Sequence, residues 1–82
     1  MVRLHPHARE RMEERGATEE EVRATVEQGE PFPAKFGRTG LRRNFRFDQN
    51  RHGQHDQTNQ VEAYAVQEGS DWPVMTVLTR YF

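Results

Sequence analysis

Over the first thirty residues the apolar side chains recur three and four positions apart. Leu4, Ala8 and Met12 form one row and Val22 and Val26 another, with charged residues between. That spacing follows the 3.6-residue period and predicts two amphipathic helices. Pro6 suits a first helical position, where its missing N–H is no loss, and Gly16 offers the left-handed residue that ends a helix. The first helix is therefore Pro6 to Arg15. Thr18 and Glu21 make a capping box, Glu19 and Glu20 add negative charge at the positive end of the dipole, and Gly29 supplies a second stop. The second helix is Glu19 to Gln28, and the two form a hairpin that must pack on something else, since neither is stable alone.

From Pro31 the period shortens to two. Leu41, Arg43, Phe45 and Phe47 alternate with Arg42, Asn44 and Arg46, which sets aromatics on one face of a strand and cations on the other. Val61 to Val66 and Val74 to Tyr81 alternate in the same way, and their β-branched and aromatic residues suit central strands. The stretch PFPAKFG is held to a sheet edge by Pro31 and Pro33. GRTG and EGSDWP read as turns, and Trp72 before Pro73 as a packing anchor. DQNRHGQHDQTNQ has no periodic signal and reads as a long polar loop, while Met1 to His5 offers a short additional strand. The order predicts one α+β domain over residues 1–82, with two N-terminal helices packed on one face of a three- to four-stranded antiparallel sheet.

Composition narrows the picture. Three Leu, seven Val, five Phe and no Ile in 82 residues make a thin core, which a partner chain or a homodimer would supplement. There is no cysteine, hence no disulfide and no thiolate metal site. No secretory h-region or long apolar run stands in the chain, so the expectation is a cytoplasmic protein with no membrane partner. The net charge of −1 hides an asymmetry: residues 31–47 carry Lys35, Arg38, Arg42, Arg43 and Arg46 with no acid. Such a block suits a polyanion such as RNA, unless the flanking acids neutralise it in the fold.

The first helix also presents His7, Arg11 and Arg15 four residues apart, beside its apolar row. Cleavage of RNA through the 2′-hydroxyl needs a base near neutral pKa, an acid for the leaving oxygen and fixed cations, and this row supplies part of that set. The alternative is local bridging of the two arginines with the histidine as an amphipathic packing residue. Arg42 and Arg46 can track phosphates on an open sheet and Tyr64 or Tyr81 can stack a base; the same surface equally suits solvent or an acidic protein. His5-x-His7 and His52-x-x-His55-Asp56 give only a weak zinc signal. Walker A, dinucleotide-glycine, Ser-nucleophile and Cys-nucleophile patterns are all missing, and no cofactor is implied.

His7-Ala8, Arg11-Met12, Arg15-Gly16, Thr18 and Val22, with the closing Val74-Met75-Thr76-Val77-Leu78, resemble the pattern of a widespread bacterial family of small domains of uncharacterised function. That family is grouped with RelE-like and barnase/colicin-like toxin folds. The resemblance implies that topology, a metal-independent endoribonuclease activity and an acidic antitoxin-like partner. It places His7, Arg11 and Arg15 at the catalytic end of the first helix, with Arg42, Arg43, Arg46, Tyr64 and Arg80 as RNA-contacting candidates. The chain closes at Tyr81-Phe82 without the C-terminal helix of RelE-like toxins, which counts against ribosome-dependent cleavage.

Overall fold

A computed structural model of the chain describes residues 1–51 and 53–82. Strand β1 (Val2–Leu4) leads into helices α1 (Pro6–Arg15) and α2 (Glu19–Gln28). Strands β2 (Glu30–Pro33), β3 (Thr39–Arg51), β4 (Gln54–Ala65) and β5 (Trp72–Tyr81) follow. Both helices fall where their caps predict. Pro6 opens α1 behind the His5 cap, and Gly16 closes it with φ 73°. The Thr18 hydroxyl accepts from the Glu21 N–H at 3.1 Å and the Glu21 carboxylate accepts from the Thr18 N–H at 2.9 Å.

Gly29 ends α2 for a different reason from the one expected. Its backbone is extended, with φ −75°, so no left-handed turn is needed. Its lack of a side chain lets α2 approach β3, because a Cβ there would meet the Thr25 carbonyl and stand 2.8 Å from the Arg42 carbonyl oxygen.

The five strands form one sheet in the order β1-β5-β4-β3-β2. This corrects the expected plain antiparallel sheet of three or four strands and, with it, the RelE/barnase-like topology. The sheet is mixed, because β1 runs parallel to β5 with Val2 opposite Trp72 and Leu4 opposite Val74. Burial of Val2 and Leu4 against the core, together with the Trp72 N–H to Met1 carbonyl bond at 2.7 Å, holds the N-terminus in place. A pairing that joins the two ends of the chain leaves no local trace in the sequence.

The second correction concerns the expected polar loop, which is the far end of a long hairpin. Asn44 pairs with Gln60, Phe45 with Asn59 and Arg46 with Thr58; after a bulge, Gln49 pairs with Asp56 and Asn50 with His55. Asp48 takes φ 52° in that bulge, a conformation its short polar side chain tolerates. From Asp48 to Gln60 the sequence is polar apart from Gly53, so the two-residue hydrophobic alternation is lost while the backbone ladder continues. At roughly 3.4 Å per residue, β3 accounts for most of the molecule's 43 Å long axis.

The core lies between the helices and one face of the sheet. Ala8, Met12 and Val22 meet Val61, Ala63, Ala65, Val74 and Val77 there, with Leu4, Val26, Phe45 and Trp72 packed around them. Arg23 joins three elements, donating to the Val2 carbonyl (3.0 Å) and to Glu19 (3.0 Å), which Arg9 of α1 also contacts at 3.2 Å.

Gly29→Ala is expected to cost about 1–3 kcal/mol through overpacking. For a domain of this size that lowers Tm by about 4–8 °C per kcal/mol, read by calorimetry. An unchanged Tm would show that α2 does not come this close to β3.

Candidate functional site

Strand alternation divides the chemistry-bearing residues between two faces. On β4, Val61, Ala63 and Ala65 point under the helices, so Gln60, Glu62 and Tyr64 point to the open side. Their cross-strand partners carry the division across the sheet: Arg42 stands opposite Glu62, Asn44 opposite Gln60 and Gly40 opposite Tyr64. Arg80 stands opposite Gln60 on β5, and Leu78 opposite Glu62.

Glu62 is the centre of this face. It is only 5% exposed, although no helix covers it. One carboxylate oxygen accepts from the Tyr64 hydroxyl at 2.9 Å and the other from Arg80 Nε at 2.9 Å. Arg42 lies with its guanidinium 4.9 Å above the Phe32 ring and 3.7 Å from the Glu30 carboxylate. Phe32 meets Tyr64 edge-on with ring centres 5.8 Å apart. It crosses β3 at Gly40, where a Cβ would run into the Phe32 ring. Burial holds the Tyr64 phenol above its ordinary pKa of 10.0; the Glu62 hydrogen bond and charge add to the rise, and Arg80 and Arg42 oppose it.

Beside this cluster the β2–β3 connection overhangs the sheet. It borders an open concavity of about 430 Å³ lined by Phe32, Lys35, Phe36, Arg38, Tyr64, Thr76 and Leu78, among others. A second concavity, about 510 Å³, lies at the root of the long hairpin beside Asn44, Arg46 and Asp48. Asp48 there is held below the usual carboxylate range by its hydrogen bonds to His55 (2.9 Å) and Arg46 (3.3 Å).

The helix row does not join this face. His7 Nδ1 is 4.0 Å from Glu10, and Arg11 bonds Glu14 at 2.7 Å, both within α1. The Arg15 carbonyl accepts from the hydroxyls of Thr79 (3.2 Å) and Tyr81 (2.9 Å), which ties the end of α1 to the helix side of β5. Arg15 Nε is buried without a hydrogen-bond partner among the described residues. Arg15 does line a concavity of about 760 Å³ that also touches Arg80 at the sheet edge, but His7 and Arg11 are not part of it.

The strand candidates separate as well. Arg42, Arg46, Tyr64 and Arg80 share the open face. Arg43 belongs to the helix side, where it donates to Gln28 and lies 5.4 Å from the Phe45 ring centre. His52 of the zinc pattern lies outside the described residues. His55 is engaged by Asp48 and Asn50, and among the described residues no three His, Asp or Glu side chains gather as a metal site would require. Among the described residues no helix is long and apolar enough to cross a membrane.

Sequence reasoning missed Glu62, Phe32 and Phe36 as candidate site residues, and singled out Lys35 and Arg38 only as members of the basic block. The available signal was an acid two residues before a tyrosine within an otherwise apolar central strand.

Tyr64 gives a titration test. The fold favours its neutral phenol, so this stabilising contribution is complete below the ordinary pKa and is lost as pH rises through the higher folded value. In a Tyr81→Phe background, which leaves a single tyrosine, phenolate absorbance should appear late. Glu62→Gln should shift it to lower pH, since the carboxylate charge then no longer opposes ionisation; an unshifted curve would remove the Glu62–Tyr64 interaction. Set against family models, curated proteins and solved structures, the chain matches none of them.

Proposed function

We propose that the open face of the sheet binds single-stranded RNA. The observation that carries this reading is the gathering of Arg42, Arg46 and Arg80 with Phe32 and Tyr64 on one uncovered face, next to Lys35 and Arg38. Guanidinium groups take phosphate oxygens in paired hydrogen bonds, and aromatic rings stack unpaired bases without regard to sequence. An extended strand of RNA suits a sheet because its bases are already free to splay, whereas a duplex hides them.

A second reading, cleavage of the bound RNA, is supported by the Glu62 carboxylate and the Tyr64 hydroxyl standing 2.9 Å apart on that face as a base and an acid. In it Glu62 takes the proton of a 2′-hydroxyl and the freed 2′-oxygen attacks the adjacent phosphorus. Arg42 and Arg80 offset the charge on the non-bridging oxygens, and Tyr64 protonates the departing 5′-oxygen. The bond to the 5′-oxygen breaks, leaving a 2′,3′-cyclic phosphate. Such chemistry moves the expected centre from His7, Arg11 and Arg15 to the opposite face of the sheet.

Binding is tested with a fluorescent RNA oligomer over a salt series. Arg46 is 88% exposed on its side chain and pairs only with Asp48 among the described residues, so Arg46→Ala leaves the fold intact. Arg46→Ala and Arg38→Ala should each weaken binding and reduce the slope of log K against log salt by about 0.7. A salt-independent affinity, or equal binding by both variants, would remove the phosphate contacts.

Cleavage is tested on the same oligomer by mapping product ends. Glu62→Gln should lower the rate by about 10²- to 10⁴-fold while still binding, and a 2′-deoxy substrate should remain whole. Loss of cleavage in His7→Ala but not in Glu62→Gln would return the activity to α1.

A further inference from the structure

Phe36 stands in the connection between β2 and β3 with φ 62°, and it is 88% exposed. A bulky residue pays roughly 1–2 kcal/mol for the left-handed conformation, and an aromatic ring left in water gains nothing from burial to offset it. Backbone strain combined with an unburied ring is the mark of a residue kept for something other than folding. Gly37 beside it is also left-handed, with φ 68° and open space around it, so the backbone there is free of steric obstruction.

Beneath Phe36 lies the 430 Å³ concavity, within the usual range of about 300–1,000 Å³ for small-ligand sites. Its wall is Phe32, held edge-on to Tyr64 and laid flat over Gly40, and Leu78 and Thr76 of β5 complete it. Lys35 and Arg38 flank the mouth, and among the described residues neither pairs with a carboxylate. Aromatic and aliphatic surface inside, two unspent cations outside and hydroxyls from Tyr64 and Thr76 match the parts of one nucleotide: a flat base, a phosphate and polar base edges.

We infer that this concavity is a pocket for a single base of the bound RNA, with Phe36 stacking on the base from the solvent side and Lys35 and Arg38 taking the flanking phosphates. The inference rests on the RNA-binding reading and adds to it one base that is drawn out of the strand and enclosed. A second copy of the chain or an acidic peptide would use the same hollow differently. Neither offers a planar ring with an attached anion, and the free cations at the mouth disfavour a copy that brings the same charges.

The test compares Phe36→Ala, Phe36→Gly and Phe36→Tyr with the unaltered chain, using fluorescent RNA oligomers with and without one abasic position. Phe36→Ala and Phe36→Gly should weaken binding about 5- to 150-fold. Phe36→Tyr should restore it, and an oligomer abasic throughout should not distinguish Phe36→Ala from the unaltered chain. Thermal unfolding of Phe36→Gly should not begin earlier, because glycine suits the left-handed backbone. Unchanged affinity in Phe36→Ala, with Arg46→Ala still weakened, overturns the pocket and leaves the RNA face standing. No binding of any oligomer by the unaltered chain at low salt overturns both. A Phe36-dependent dimer in sedimentation, or competition by an acidic peptide alone, assigns the hollow to another occupant and overturns the pocket.

Discussion

A carboxylate set in the middle of a sheet must be matched in both charge and hydrogen bonds, and Glu62 obtains both from its own face. Arg80 and Tyr64 each bring a donor to one of its oxygens, and Arg42 stands across from it on β3. Removing one partner of such a group leaves an uncompensated charge, so these side chains depend on one another more than surface ion pairs do. That dependence orders the open face. Tyr64, fixed by Glu62, is the surface against which Phe32 stands, and Phe32 in turn supports Arg42 and walls the hollow below Phe36.

The opposite face works by small size rather than charge. Ala8 on α1 shares one buried cluster with Ala63 and Ala65 on β4 and with Val22, Val61, Val74 and Val77, and none of these is exposed at all. Close packing of small side chains brings the helices near the sheet, and Gly29 allows the nearest approach. The cations of α1 are then spent on local bonds: Arg11 on Glu14, and Arg9 with Arg23 on Glu19, whose carboxyl they hold below its usual range. The four-residue spacing of His7, Arg11 and Arg15 thus describes the flank of a helix and not a convergence of side chains.

What could be read from the chain was what is decided within a few residues. The His5–Pro6 start, the Gly16 stop and the Thr18–Glu21 box are each complete in a short segment, and both helices follow from them. The alternation Arg42, Asn44, Arg46 against Leu41, Phe45 is likewise local, and the faces it predicts are the faces observed. The parallel β1–β5 pair joins residues 2–4 to 72–74, and no short-range pattern encodes it. The hairpin beyond Arg46 was hidden because its polar pairs, such as His55 with Asn50 at 3.0 Å, satisfy a ladder without any hydrophobic contrast. Glu62 looked like an ordinary outward residue; its burial arises only when β3 and β5 lie on either side of it.

The acid-free block of residues 31–47 poses a question of charge that the fold answers unevenly. Along β3 the acids of neighbouring segments return: Glu30 reaches Arg42 and Asp48 reaches Arg46, while Gln28 takes Arg43 on the other face. In the β2–β3 connection no acid among the described residues pairs with Lys35 or Arg38, which stand at the mouth of the hollow. Exposed ion pairs contribute little to stability and exchange readily for a stronger anion, so the strand cations remain available to phosphate at small cost. The unpaired two supply the long-range attraction, which is strongest where the aromatic surface also lies. Positive potential and stacking surface therefore coincide at one end of the open face, and an extended polyanion entering there would meet Arg42 and then Arg46 at alternate positions along the same strand.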